Sequence, residues 1–205
     1  MHEISIKAEE LFHIGSFPVT NSLLLALISF LVILVFAIFI RRRIELVPRT
    51  LQSVFELLTE EILRTMDAVL GKRSLSERYF PLIASIFFFL LVSNWLGLFP
   101  VVGSFHLHEK SLLRAPAADL NFTFALALIS VIATQILGVA ALGFRRHSSK
   151  YFTLHNPIFT FVGLLELVSE FAKIISFSFR LFGNVFAGEV LLIIIGFLVP
   201  YVVPL

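Results

Sequence analysis

Between Ile158 and Val199 a long apolar run is interrupted by Glu166, Glu170, Lys173, Arg180, Asn184 and Glu189. At about 100° per residue, Glu166, Ser169, Lys173, Ser176, Arg180, Asn184 and Ala187 share one helical face, and Glu189 falls on the opposite one. A lipid-facing helix does not carry such a stripe, because each charged residue near mid-bilayer costs roughly 2.5–3.5 kcal/mol on insertion scales. The stripe is therefore expected to face a protein partner or a water-filled path. Arg180 constrains the chemistry most. A guanidinium keeps its proton in proteins, so it acts as a fixed charge with several donors and does not relay protons. One turn to either side stand Ser176, Phe177, Gly183 and Asn184, none of them a carboxylate. Glu170 already has Lys173 three residues on. A buried cation without a partner is costly, so the counter-charge of Arg180 is expected on another polypeptide.

The elements that must position these groups follow from composition. The chain has 205 residues, is 58% hydrophobic and has a mean hydropathy of +0.97, which marks an integral membrane protein. Net charge is +2, so the basic residues do not form a nucleic-acid surface. With no cysteine there is no disulfide framework, thiol chemistry or cysteine metal site. The 24 phenylalanines suit lipid-facing and helix-packing surfaces and imply no cofactor. No cleavable signal peptide is evident, because the first apolar run lacks a basic flank before it and is long enough to span.

Residues 1–20 read as an outside tail, and 22–40 as a first span ending in Arg41, Arg42 and Arg43, with Arg49 close behind. The excess of basic residues there puts this loop in the cytoplasm and the amino terminus outside. Residues 50–70 pattern as an amphipathic interfacial helix with Leu51, Val54, Phe55, Leu58, Ile62, Thr65 and Val69 on its apolar face. A second span covers 79–100, with Trp95 as an interfacial anchor and Ser93 and Asn94 as packing or capping groups. His106, His108 and Glu109 sit in the outer loop without a metal-binding spacing, so no metal is expected. Asp119 caps a third span over 120–144, in which Thr134 and Gln135 are placed to hydrogen-bond between helices; Arg145, Arg146 and Lys150 mark the return to the cytoplasm. Asn156-Pro157 opens a final helix over 157–199, closed by Pro200 and Pro204. At about 1.5 Å per residue that helix runs roughly 65 Å against a bilayer core of about 30 Å. It must be steeply tilted, broken near Gly183, or partly interfacial.

The run SFSFRLFGNVFAGEVLL resembles the signature of the a subunit of F-type ATP synthases, the stator half of the membrane proton channel. SFPVTNSLL, FPLIASIFFFLLVSNWLGLFP and ADLNFTFALAL resemble that family in the same order, so the likeness covers nearly the whole chain. The resemblance implies an all-α membrane protein in which a long, steeply tilted helix carries an essential arginine, Arg180, facing the proton-carrying carboxylate of a rotating c-ring. Asn184 and Glu189 would belong to the path nearby, Glu189 in the outer half-channel; Glu166 and Ser169 would lie toward the cytoplasmic half-channel, and Ser176 between them and Arg180. The implied partners are the c-ring, peripheral-stalk b subunits, the other synthase subunits and the lipid bilayer of a bacterial plasma membrane, with no catalytic centre, cofactor, metal or nucleic acid. The resemblance implies a further membrane helix that pairs with this one; the chain as given ends at Leu205, so that helix is expected beyond it or, failing that, to be supplied otherwise.

Two other functions compete. A self-contained secondary transporter, with Arg180 binding an anionic substrate, calls for inverted repeats and a second broken helix, and the sequence displays neither. A purely structural subunit would use the stripe as interhelical glue, which suits Glu170 with Lys173 but leaves Arg180 without a local partner. Co-purification with a ring of small hairpin subunits separates all three.

Overall fold

The computed structural model describes residues 8–42, 44–45, 50–98, 106–107, 110–149, 151 and 157–198. The expectations for His2, Arg43, Arg49, His108, Glu109, Lys150, Asn156, Pro200 and Pro204 fall outside them. The chain is an all-α membrane protein. Helices α1 (Asn21–Arg42), α3 (Arg73–Gly97), α4 (Leu120–Leu142) and α6 (Pro157–Leu198) are long and apolar enough to cross a membrane. Helix α2 (Thr50–Leu70) packs on α3, and the short α5 (Phe144–Ser148) follows α4. Segment 10–20, expected to be a plain tail, instead forms an antiparallel hairpin of β1 (Glu10–Ile14) and β2 (Phe17–Thr20) laid on α1. Gly15 supplies the positive φ of its turn. A second, two-residue ladder joins β3 (His106–Leu107) and β4 (Lys110–Ser111).

Aliphatic and aromatic side chains point outward along every span, for example Leu31, Val35, Ile129, Ile136 and Phe171. In water this would be ruinous, but lipid solvates such surfaces. Packing between the helices falls instead to small and hydroxyl residues: Ser22, Ser29, Ala84, Ser93, Ala127 and Ser178 are all buried. The tightest knot is the loop before α4. Its 3-10 turn Pro116–Ala118 is fully enclosed and touches α1, α3, α4 and α6. Non-helical backbone is tolerated at such a place because protein surrounds it and its amides are satisfied. Ala118 N donates to Ala115 O at 3.0 Å and Asp119 N to Pro116 O at 3.1 Å.

Helix α2 packs on a face rotated from the one its apolar spacing indicates. Leu63 and Met66 are buried and Phe55 stacks on Phe88 at 5.1 Å, whereas Val54 and Val69 are 55% and 82% exposed. The apolar residues serve two surfaces, a seam against α3 and an open flank suited to a membrane interface. Helix α6 runs its 42 residues without interruption through Gly183, about 63 Å. A break there is thereby excluded.

A charged corner fixes the α2–α3 connection. The Arg73 guanidinium donates to both oxygens of Glu60 (3.2 and 3.0 Å), to Asp67 Oδ2 (3.0 Å) and to Glu77 (3.2 Å). Arg73 holds the Glu60 carboxyl below the ordinary range, and the Ser76 hydroxyl with Arg73 does the same for Asp67. Depressed carboxyl values contribute stability that is complete above their unfolded values of about 4 and disappears as pH falls through the folded ones. Hydrogen exchange at the Gly71, Leu75 and Ser76 amides, which donate to Asp67 and Lys72 carbonyls, should therefore gain an extra acceleration below about pH 4. Arg73→Gln should remove that acid-specific part by loosening the corner at neutral pH.

Candidate functional site

Helix α6 is oriented by its seam with α4. Ser178 is buried in it, and Ser178 Oγ meets Thr123 Oγ1 at 3.1 Å. Thr123 in turn donates to Leu120 O at 3.0 Å, so the Ser178 hydroxyl acts as donor to Thr123. With that side committed, Ser169, Lys173, Ser176, Arg180, Asn184 and Ala187 all stand exposed on the far side. Glu166 separates from this stripe: it is half-buried, as is Glu170, at the margin between the two faces.

Arg180 lies near the middle of α6, with its guanidinium carbon 5.8 Å from the Phe177 ring centroid, a cation–π contact within its own helix. Among the described residues it forms an ion pair with no carboxylate. The charge thus projects from a membrane-spanning helix with an aromatic face beside it and no anion.

Toward the basic-loop end, Lys173 Nζ donates to Glu170 Oε1 at 3.1 Å. Tyr151 Oη reaches the same oxygen at 3.4 Å and Gln135 Oε1 at 3.2 Å, and His147 Nε2 lies 2.7 Å from that Gln135 oxygen. Gly138 makes room for the imidazole, since a Cβ there would come 2.7 Å from His147 Cε1. Gln135 thus bonds across elements, while Thr134 Oγ1 donates back to Ser130 O within α4 at 2.8 Å.

At the other end, Glu189 turns toward the enclosed loop. Its Oε2 is 3.5 Å from Arg114 Nε, and the Arg114 guanidinium sits 5.9 Å above the Phe186 ring. Asp119 Oδ1 accepts from Asn121 N at 3.0 Å, which is the helix cap that its position indicates, and Oδ2 accepts from Ser22 Oγ at 2.9 Å. Both carboxylate oxygens of Asp119 are therefore engaged in tying α1 to the start of α4.

Helix α6 thus carries on one face a cation with no carboxylate partner among the described residues, and carboxylates toward its two ends on another side. The profile of the ATP synthase A chain family matches residues 23–205. The chain belongs to that family. It is similar to ATP synthase subunit a of Mycobacterium bovis, 34% identical over 186 residues that cover 89% of this chain and 73% of that one. The subunit a of Moorella thermoacetica is 28% identical over 199 residues (97% and 84% covered), and that of Campylobacter jejuni 32% over 194 (95% and 76%). As an ATP synthase A chain, it is a non-catalytic, multi-pass subunit of the membrane sector, on the stator side, and serves proton translocation.

Sequence reasoning missed Arg114, His147 and Tyr151 in this A chain. Arg114 and Tyr151 lie in connecting segments and His147 in the short α5, and each meets a partner twelve or more residues away, beyond the reach of a helical spacing rule. The only available signal was charge: Arg114 stands beside an apolar, small-residue stretch that the fold encloses.

The Ser178 seam yields a prediction. Ser178→Leu would overpack a fully buried position and force α6 to turn or shift, at roughly 1–3 kcal/mol. Proton pumping by the assembled synthase should fall several-fold although Ser178 faces away from Arg180. Ser178→Ala, which loses one hydrogen bond worth about 1 kcal/mol, should leave pumping within about twofold.

Proposed function

We propose that this subunit forms two aqueous half-channels that load and unload a carboxylate on the rotating c-ring, with the exposed stripe of α6 as the ring-facing surface. The observation that carries the proposal is Arg180: a permanent charge on a spanning helix, exposed and without an anion among the described residues. A ring carboxylate arriving opposite it is favoured in its ionised form. It gives up its proton to one side before taking another from the other side, and because the half-channels connect only through the ring, no direct leak opens. Each proton falling through about 100 mV releases roughly 2.3 kcal/mol, which the moving ring transmits as torque.

In this assignment Glu166 and Ser169 serve the cytoplasmic half-channel, Ser176 continues it toward Arg180, and Asn184 and Glu189 serve the outer one. Asn184 shares the exposed side with Arg180, whereas Glu189 is on the α4 side, so the outer path must pass round α6 within about two turns. Open space around Gly183 and Gly188, where an added Cβ would meet nothing within 4 Å, supports both a water route and the close approach of a partner helix. A 42-residue helix in a core of about 30 Å must tilt steeply, which would let its stripe follow the curve of a ring. Arg41 and Arg42 at the end of α1 and Arg145 after α4 support a bacterial plasma-membrane topology with the amino terminus outside. The open apolar side of α1 suits lipid and the membrane anchors of the b subunits.

Arg180→Ala in the complete synthase should abolish ATP synthesis driven by an imposed proton gradient, to less than one part in a hundred of the normal rate, a loss of about 2.7 kcal/mol or more in coupling. Gradient-driven synthesis in membrane vesicles at half the normal rate or better would contradict the assignment.

A further inference from the structure

At the outer mouth, one charged group has no role in the scheme above. Arg114 is nearly enclosed, its side chain 11% exposed, and it lies against both Glu189 and the Phe186 ring. Its backbone cannot swing away. The next residue, Ala115, is seated on Gly97 so closely that a Cβ at Gly97 would come 2.7 Å from the Ala115 Cβ, and the turn that follows is buried among four helices. A guanidinium held in this way is a permanent feature of the mouth, always charged.

We propose that Arg114 is a selectivity residue: it compensates the Glu189 carboxylate so that the outer path admits protons and turns away alkali cations. This rests on the placement of Glu189 in the outer half-channel. A metal cation entering a carboxylate site needs an uncompensated negative charge and several oxygen ligands; fixed arginines in pores exclude cations by removing that attraction. A proton needs neither, because it passes by covalent transfer to an oxygen and on to water. The surroundings strengthen the point. Helix α4 carries no charged side chain between Leu120 and Leu142. Asp119, the carboxylate at its start, has both oxygens engaged by Asn121 N and Ser22 Oγ. Among the described residues the other acids of this end are Glu10, on the hairpin 3.8 Å from His13, and Glu9 just before it, whose Oε2 is buried. On α6 at this end Glu189 is thus a carboxylate on which a cation could dwell, and Arg114 is the charge that prevents it.

The test uses the complete ATP synthase in vesicles, driven by an imposed proton gradient, with sodium chloride or choline chloride at equal ionic strength on the outer side. The unaltered complex should synthesise ATP at the same rate in both salts. Arg114→Gln should become sodium-sensitive, slowing at least twofold in sodium relative to choline at about physiological ionic strength. Arg114→Lys should restore indifference, and Arg114→Gln with Glu189→Gln should lose the sodium effect. If Arg114→Gln fails to assemble, Arg114→His carries the same test, being cationic below and neutral above a pH of about 6.5: sodium should slow it at an outer pH of 8 and not at 5.5. Equal rates in both salts for Arg114→Gln, or for Arg114→His at both pH values, would overturn the proposal. If Glu189→Gln alone leaves proton-driven synthesis unchanged at every outer pH, the placement of Glu189 itself fails, and the selectivity proposal fails with it.

Discussion

A fixed positive charge in the middle of a membrane helix, with no anion beside it among the described residues, is the constraint around which this subunit is arranged. Lipid offers a guanidinium nothing, and the penalty near the bilayer centre is about 2.5–3.5 kcal/mol even on the mildest scales. Arg180 meets it with one ring, Phe177. Such a contact is worth about 0.5–2 kcal/mol and is insufficient alone. The remainder must come from water or from a carboxylate on another chain. In the proposed function, a charge left in that condition responds to a passing anion, as a stator opposite a rotor requires.

Everything else keeps that charge in place and facing outward. The Ser178–Thr123 contact sets the rotation of α6 about its axis, and the enclosed turn before α4 joins four helices at one end of the bundle. Asp119 ties that turn to α1 through Ser22. At the opposite end, Glu170, Lys173, Tyr151, Gln135 and His147 bind the post-α4 segment to α6. Each end of the seam is therefore fastened by hydrogen-bonded polar groups, while its middle is closed by small residues. In a bilayer, where apolar contact with lipid competes with apolar contact between helices, polar ties of this kind define a unique arrangement.

The spans, the amphipathic segment and the isolation of Arg180 were legible in the sequence, because hydropathy, 3.6-residue periodicity and the reach of one helical turn are local properties. The cap role of Asp119 was legible for the same reason. Helical projection placed Arg180 opposite Glu189, and of the residues it put on the stripe Glu166 alone is half-buried, a difference that spacing does not reveal. The seam of α2 against α3, through Leu63, Met66 and Phe55, was not legible, because apolar spacing does not distinguish a helix-packing edge from a flank meant for lipid. The β1–β2 hairpin lies in a mixed, weakly patterned stretch, and the Arg114–Glu189 pair joins residues that no local rule connects.

The chain lacks cysteine, so single substitutions along α6 can test whether the face bearing Arg180 meets the ring, as proposed. In the assembled complex, with one cysteine placed on the ring helix beside its ion-carrying carboxylate, oxidation should cross-link Ser176→Cys and Asn184→Cys and leave Ile174→Cys and Ser178→Cys unlinked. Cross-links from Ile174→Cys or Ser178→Cys, with none from Ser176→Cys or Asn184→Cys, would mean that the face bearing Arg180 is turned away from the rotor and that the account is wrong.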